Sequence, residues 1–149
     1  MKALIQRVKR AKVSVDDQTV GEIGQGILVL LGITHTDKQK DADLLVEKIS
    51  NLRIFEGGGK SSFDKSVTEI GGSLLIVSQF TLYGSTKKGR RPDFMESAKP
   101  EFANELYDYF ISKARDTGLT VATGEFGAMM DVELVNDGPV TFLLESPTV

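Results

Sequence analysis

The sequence predicts an α+β fold in which two major helices pack against a mainly antiparallel, barrel-like β-sheet. Two observations support this class. In about seven short segments, apolar residues either alternate with polar ones or form an unbroken run, and both patterns are typical of strands. Only two segments, at about residues 37–51 and 100–118, repeat apolar side chains at helical spacing. We expect a single domain over residues 1–149, because this length supports one hydrophobic core and is short for two.

The N-terminal half of the chain predicts strands on both sides of the first helix. Alternating apolar residues over Ala3–Val20 indicate one or two half-buried strands, and the continuous run Ile27–Leu31 indicates a fully buried strand. Thr36–Gln39 matches the capping-box pattern, so the helix should run from about Asp37 to Asn51. Leu52–Phe55 then predicts another short strand.

The C-terminal half contains the strongest strand signal and the second helix. The strand is predicted over Ser73–Leu82, where polar residues appear abruptly at the C-terminal end. Pro100 suits the first turn of a helix and Gly118 its end. Leu119–Thr123 and Asp131–Val135 predict two further strands. The buried face of the helix should carry four residues: Phe102, Leu106, Phe110 and Ala114.

Six residues near the C-terminus, Asn136-Asp137-Gly138-Pro139-Val140-Thr141, predict a hairpin turn between two apolar strands. Asn, Asp and Gly supply turn conformations, and Pro fixes φ. Pro139 cannot donate to a central ladder, so it should lie at a strand start, a bulge or an edge. Local chemistry alone favours a trans peptide bond before this proline.

The composition excludes several kinds of site. The absence of cysteine rules out a disulfide, a thiolate nucleophile and a zinc–thiolate centre. The one histidine, His35, lies in a polar loop beside a helix start, where a solvated or capping role is more typical than that of a general base. The acidic residues have no EF-hand or clustered spacing. We therefore expect neither a metal nor a cofactor.

Charge and hydropathy limit the partners. With 18 Lys and Arg against 21 Asp and Glu the net charge is −3, so contact with a polyanion requires a local basic patch. The first residues lack the apolar core of a signal peptide, and the longest apolar run is far below the roughly 20 residues of a membrane helix. We expect a cytoplasmic protein with no membrane or DNA partner.

Hydroxyl groups are the remaining candidates for chemistry. Ser78 and Thr81 lie where an apolar strand becomes polar. A hydroxyl nucleophile needs a base within hydrogen-bond reach, and the neighbouring Gln79 cannot accept a proton. One interpretation is that these polar side chains only complete the hydrogen bonds of a strand end and have no catalytic role. The other is an enzyme that works by positioning and backbone donors rather than by a side-chain acid or base.

Two further features each have a purely structural and a functional interpretation. The cluster Lys87–Arg91 is either a solvated surface loop or a contact for a phosphate backbone beside the Ser78–Thr81 segment. Phe126 is either a core aromatic or a stacking platform for a nucleotide base. The glycines at 124 and 127 leave room for a ligand to approach closely.

Five segments together resemble one family, the D-aminoacyl-tRNA deacylases, over essentially the whole chain. Two departures concern RNA contact: the family commonly has Ser where this chain has Asp93, and often a basic residue where it has Glu125. The carrying segments, in this order, are Ala3-Leu4-Ile5-Gln6-Arg7-Val8, Ser78-Gln79-Phe80-Thr81-Leu82, Lys88-Gly89-Arg90-Arg91-Pro92, Leu106-Tyr107-Asp108-Tyr109-Phe110 and Asn136-Asp137-Gly138-Pro139-Val140-Thr141.

The resemblance implies hydrolysis of the ester that joins a D-amino acid to the 3′-terminal adenosine of tRNA, as a proofreading step in translation. It also implies removal of glycine mischarged onto tRNA for alanine, so the expected partners are D-aminoacyl-tRNA and glycyl-tRNA. Family members look like homodimers with two active sites at the interface. There, the end of the Ser78–Thr81 strand faces a cis Gly138-Pro139 bond of the other subunit, whose carbonyl oxygens bind the substrate amino group and exclude an L side chain.

The resemblance also assigns individual residues. Arg7 would brace the turn, and the ribose 2′-hydroxyl would help to activate water while the protein orients the ester. A Thr81 nucleophile is the alternative mechanism, and a non-catalytic module that binds RNA ends is the alternative function. Donors at Ser78, Gln79 and Phe80 would hold the scissile carbonyl. The implied sets are Ser78, Gln79, Phe80 and Thr81 for catalysis, Phe126, Ala128, Met129 and Met130 for adenosine, and Lys88, Arg90 and Arg91 for the tRNA backbone.

Overall fold

A long N-terminal strand organises the sheet in the computed structural model, which describes residues 1–61 and 63–147. This strand pairs antiparallel with three others, and the described residues form one six-stranded sheet. A 3₁₀-helix, Phe80–Tyr83, follows the fourth strand. In chain order the main elements are β1 (Lys2–Val15), β2 (Gln18–Ile23), β3 (Gly26–Gly32), α1 (Gln39–Asn51), β4 (Ser73–Ser78), α2 (Pro100–Asp116), β5 (Thr120–Thr123) and β6 (Asp131–Glu145).

The sheet is mixed, so the prediction of a mainly antiparallel sheet was wrong. The N-terminal part of β1 pairs with β3, its C-terminal part pairs with β2, and β6 runs along its other edge. The pairs β3–β4 and β4–β5 are parallel. These pairs are parallel because α1 and α2 are crossover connections, which return the chain to the same end of the sheet before the next strand begins.

The barrel-like shape and the α+β class were predicted correctly. Strand β2 approaches β5 so closely that a Cβ on Gly21 would lie 2.2 Å from the carbonyl oxygen of Thr123. Only glycine permits this approach of two backbones, which nearly closes the sheet. Leu52–Phe55, predicted as a strand, forms only an isolated bridge between Phe55 and Lys65.

Two apolar clusters fill the structure, one between the sheet and the helices and one within the curved sheet. The predicted apolar face of α2 is buried at Leu106, Phe110 and Ala114, whereas Phe102 is partly exposed and was assigned wrongly. Helix α1 starts two residues later than predicted, where the Asp41 carboxylate accepts a hydrogen bond from the Lys38 N–H. Neither helix of the described residues is long and apolar enough to cross a membrane.

The Asn136–Thr141 segment is a bulge within β6, so the predicted hairpin turn was wrong. Asn136 pairs with Val8 and Thr141 with Gln6, so the strand continues along β1 on both sides. One residue of β1, Arg7, therefore lies opposite four residues of β6, 137–140. Asn, Asp, Gly and Pro residues are as compatible with a bulge as with a turn. Strand β1 is long enough for β6 to pair with it again after the bulge.

Candidate active site

A cavity of about 660 Å³ opens at the carboxyl ends of the parallel strands. The last pair between β4 and β5 is Ile76 with Thr123, and beyond it the two strands diverge. Crevices at this edge of a parallel sheet are common ligand sites, because the connecting loops leave space where strands separate. One wall of the cavity is formed by residues 77–80 and the opposite wall by residues 126–130.

The first wall contains the Ser78–Thr81 segment, which is not a continuous strand as predicted. Strand β4 ends at Ser78, and a 3₁₀-helix starts at Phe80. The Gln79 N–H donates to the Leu31 carbonyl at 2.8 Å and is therefore occupied. Within the described residues, the N–H groups of Phe80 and Thr81 have no protein acceptor, as is usual for the first turn of a helix.

The side chains of this wall include no obvious proton acceptor. Ser78, Gln79 and Phe80 line the cavity, whereas Thr81 is not among its lining residues. The Thr81 hydroxyl accepts a short hydrogen bond from the Gln79 amide. The wall thus offers the unoccupied Phe80 N–H and the Ser78 hydroxyl, and no carboxylate or imidazole of the described residues lines the cavity.

The second wall comes from the loop after β5. Phe126, Ala128, Met129 and Met130 all line the cavity, so the structure brings together the residues predicted to bind adenosine. Met129 is 92% exposed. A Cβ on Gly124 would lie 2.7 Å from the Met130 sulfur, so the space at this glycine is taken by Met130 rather than left for a ligand.

Tyr107, which the sequence analysis named only within a family segment and gave no role, lies where β4 and β5 separate. Its hydroxyl donates to the Ile76 carbonyl at 2.8 Å, and its ring centroid lies 5.8 Å from that of Phe126. Burial raises the pKa of Tyr107 to about 12, although the backbone N–H groups of Gly124 and Ser78 partly oppose this. A tyrosine on the apolar face of a helix was the available signal, because a buried hydroxyl needs a partner.

The Gly138-Pro139 bond is cis, as the resemblance predicted. Arg7 is buried beneath it, donating from Nε to the Asp137 carbonyl at 3.0 Å and from Nη1 to the Ile54 carbonyl at 2.8 Å. A Cβ on Gly138 would lie 3.1 Å from the Arg7 guanidinium, and its φ of +132° also favours glycine. Arg7 therefore contacts the bulge through the Asp137 carbonyl.

The amide of Asn136 closes the neck of the bulge. Its oxygen accepts from the Val140 N–H at 3.0 Å, and its nitrogen donates to the Thr141 hydroxyl at 3.0 Å. Residues 137–140 do not line the cavity of the same chain. Within one chain, the structure therefore does not bring together the Gly138-Pro139 bulge and the Ser78–Thr81 wall.

The basic cluster forms a hairpin loop beside the cavity. Ser85 and Asp93 exchange two backbone hydrogen bonds, of 2.8 and 2.9 Å, at its base. Asp93 also accepts from the Met95 N–H at 3.1 Å, so the departure from the family at this position serves as a local cap. Glu125, the other departure, is exposed. Four loop cations are exposed and form no ion pair among the described residues: Lys87, Lys88, Arg90 and Arg91.

A metal centre has no basis in the described part of the chain. No group of three or more His, Cys, Asp or Glu side chains is close enough there to hold an ion. His35 is exposed and bonds through Nε2 to the Met95 carbonyl at 2.6 Å, which connects two loops at the rim of the cavity.

The chain is similar to known proteins over nearly its full length. A family model described as D-Tyr-tRNA(Tyr) deacylase matches residues 4–145. Two proteins named D-aminoacyl-tRNA deacylase are 57% identical over 146 residues (Clostridioides difficile strain 630, 98% of this chain and 97% of that protein) and 56% identical over 147 residues (Halalkalibacterium halodurans strain C-125, 98% and 99%).

Two solved structures share the fold. One, titled c-Myc DNA Unwinding Element Binding Protein, has a TM-score of 0.93 and 45% identity, and covers 99% of this chain and 100% of its own. The other, titled as a probable eukaryotic D-amino acid tRNA deacylase, has a TM-score of 0.84 and 19% identity, and covers 96% and 97%. At that identity the second comparison supports the fold alone.

Proposed function

The chain belongs to the D-Tyr-tRNA(Tyr) deacylase family and hydrolyses the ester bond of D-aminoacyl-tRNA, and we propose that it does so with backbone donors and the substrate's own hydroxyl. The observation that carries this proposal is the first wall of the cavity. Phe80 lines this wall, and its N–H has no protein acceptor among the described residues. The N–H of Thr81, the next residue but outside the cavity lining, has none either, and no carboxylate or imidazole of the described residues lines the cavity.

In this mechanism the ester carbonyl oxygen accepts a hydrogen bond from the Phe80 N–H, and the N–H of the next residue, Thr81, is the second candidate donor. The ribose 2′-hydroxyl orients a water molecule and takes up one of its protons while it passes its own proton to the neighbouring 3′-oxygen. The water oxygen bonds to the carbonyl carbon. The negative charge then moves to the carbonyl oxygen, where each well-placed donor contributes roughly 10²–10³-fold in rate. Cleavage of the bond to the ribose 3′-oxygen, which takes up a proton, releases the D-amino acid and tRNA. The Gln79 N–H, which was predicted as a donor to the scissile carbonyl, is not available because it already donates to the Leu31 carbonyl.

The second wall would hold the terminal adenosine. The half-buried ring of Phe126 offers an aromatic face, and Ala128 and Met130 supply apolar surface around it. Met129 would close over the nucleoside from its exposed position. The basic loop is joined to the cavity through Phe94, and its cations Lys88, Arg90 and Arg91 would contact the tRNA backbone.

Selection of the D configuration would come from the partner in a homodimer. The Gly138-Pro139 bulge lies outside the cavity of its own chain and is exposed, so it is available to a second subunit. Among the described residues β6 pairs only with β1, and Phe142 and Leu143 on this edge strand are exposed apolar side chains. An unpaired apolar edge favours association with another copy.

The bulge would act on chirality with backbone oxygens. Carbonyl groups of Gly138 and Pro139 of the partner subunit would bind the substrate ammonium and leave no space for an L side chain. Glycine has no side chain to exclude, so glycine mischarged onto tRNA for alanine would also be cleaved. The proposed role is therefore proofreading of charged tRNA in the cytoplasm.

A deacylation assay with matched D- and L-aminoacyl-tRNA tests the selection of the D configuration, since release of both amino acids at equal rates contradicts it.

Thr81→Ala separates the substrate-assisted mechanism from the Thr81 nucleophile. The control is Thr86→Ala, because Thr86 is an exposed threonine of the basic loop. We expect Thr81→Ala to keep most activity, whereas a Thr81 nucleophile predicts its loss. A D-substrate with a 2′-deoxy terminal ribose should react at least 10²-fold more slowly, and normal turnover would rule out substrate assistance.

A further inference from the structure

The rings of two exposed aromatic residues at the cavity have no role in the proposed reaction, which uses only the backbone of one of them. Phe94 is 39% exposed and Phe80 is 56% exposed, and both line the cavity. Their ring centroids lie 5.1 Å apart at an interplanar angle of 63°, an edge-to-face contact. We propose that Phe94, supported by Phe80, is a stacking platform for the base of the nucleotide that precedes the terminal adenosine.

Phe94 is built as a platform, with one side packed and another open. A Cβ on Gly84 would lie 2.9 Å from the ring carbon Cε1 of Phe94, so the ring rests against the backbone at this glycine. Gly84 is thus part of the site, because any side chain there would displace the ring. The exposed part of Phe94 is left for a ligand that offers a flat apolar surface.

Hydrogen bonds hold the segment around Phe94 in place. The Ser97 hydroxyl donates to the Phe80 carbonyl at 2.9 Å, and the Ser97 N–H donates to the Phe94 carbonyl at 3.0 Å. The Ala98 N–H bonds to the Ile33 carbonyl at 2.9 Å, which ties the segment to the end of β3. A platform fixed in this way loses little conformational entropy when a base stacks on it.

The charge around the platform indicates a nucleic acid strand as the occupant. Phe94 directly follows Asp93, the base of the loop that carries Lys88, Arg90 and Arg91. A strand that leaves the cavity toward these cations passes over Phe94. The 3′ end of tRNA is single-stranded, so its bases are available for stacking on aromatic rings. This inference rests on the proposed placement of the terminal adenosine against Phe126.

Substrates of different length test the platform. One is D-tyrosyl-adenosine, which lacks the preceding nucleotide, and the other is a D-tyrosylated CCA trinucleotide. We expect Phe94→Ala to lower kcat/KM roughly 5- to 100-fold for the trinucleotide, the range of one base stack, and to leave D-tyrosyl-adenosine unchanged. Phe94→Tyr keeps a stacking ring and should restore the trinucleotide value.

Phe102→Ala is the matched control, because Phe102 is also 39% exposed but does not line the cavity. Three results would overturn the platform: an equal loss of Phe94→Ala on both substrates, no loss on either, or a changed oligomeric state in sedimentation, which would make Phe94 a protein contact. Failure of the unmodified protein to release D-tyrosine from either substrate would instead contradict the proposed function as a whole.

Discussion

Replacing Tyr107 by phenylalanine removes a single hydroxyl from the point where β4 and β5 separate. The ring stays, so its contact with Phe126 can persist, but the hydrogen bond to the Ile76 carbonyl is lost. Because the Ser78 wall and the Phe126 wall meet here, we expect both stability and activity to fall. Tyr107 would then be a positioning residue, since it does not line the cavity itself.

The expected loss of stability follows from the burial of this bond. Tyr107 is 3% exposed, and removal of one partner from a buried hydrogen bond costs about 1–3 kcal/mol. The Ile76 carbonyl keeps the Gly124 N–H as a donor at 3.1 Å, so we expect the lower half of that range. For a domain of this size each kcal/mol lowers Tm by about 2–4 °C.

The activity should fall through the position of Phe126. A displacement of about 1 Å at a binding wall can cost up to 10²-fold in rate, so we expect kcat/KM on D-aminoacyl-tRNA to fall about 10- to 100-fold at a temperature well below Tm. The pKa of about 12 keeps the Tyr107 hydroxyl protonated at neutral pH. The pH profile of the variant should therefore parallel that of the unmodified protein in the neutral range.

Tyr109→Phe provides the control on the same helix. The Tyr109 hydroxyl donates to the Asp43 carboxylate at 2.7 Å on the exposed side of α1, away from the cavity. This variant should keep the original kcat/KM. If Tyr107→Phe also keeps it while the melting temperature falls, Tyr107 contributes only to stability, and the reasoning about the two walls is wrong.

Three further changes test other parts of the structure. Asn136→Ala removes both hydrogen bonds of the side-chain amide at the neck of the bulge. It should lower the free energy of unfolding in urea by about 1–2 kcal/mol and reduce the D-to-L rate ratio. Arg90→Ala should flatten the dependence of log kcat/KM on log salt concentration by about 0.7, as for one phosphate of a single strand. Burial raises the pKa of Asp41, but hydrogen bonds from the Ser146 hydroxyl and a backbone N–H outweigh it and hold the pKa below the usual 3.8. The ionised Asp41 carboxylate therefore stabilises the folded protein fully above about pH 4, and this stabilisation is lost as pH falls through the lowered pKa. Ser146→Ala should therefore cost about 1 kcal/mol at pH 7 and less below pH 4, measured by urea unfolding at both pH values.

The sequence predicted the elements better than their arrangement. Helical spacing identified the buried faces of α1 and α2, and the apolar runs identified β3 and β4. The direction of pairing depends on which connection joins two strands, and alternation within a strand carries no information about it. The crossover helices were visible, because each follows a buried strand, so the parallel part of the sheet could have been predicted from their order.

The site was predictable where residues are close in sequence and not where they meet only through the fold. Residues 126–130 share one loop, and the resemblance placed them in one pocket. Phe94 and Tyr107 come from a loop and a helix, and their positions at the cavity depend on contacts with Gly84 and Ile76 that local sequence does not encode. The bulge at Gly138-Pro139 is similar, because only the pairing of β6 with β1 distinguishes it from a hairpin.

The backbone donors also depend on a residue far from them in sequence. A Cβ on Gly32 would lie 3.0 Å from the Leu82 Cβ and 3.2 Å from the Gln79 carbonyl oxygen, so the absence of a side chain lets the 3₁₀-helix rest against the end of β3. The 3₁₀-helix that packs here contains Phe80 and Thr81, so its position against β3 also positions their N–H groups. If these groups stabilise the reaction, a site that lacks a catalytic side chain still has a strict sequence requirement. The requirement falls on glycines that permit close packing, such as Gly32, and not on the residues that donate the hydrogen bonds.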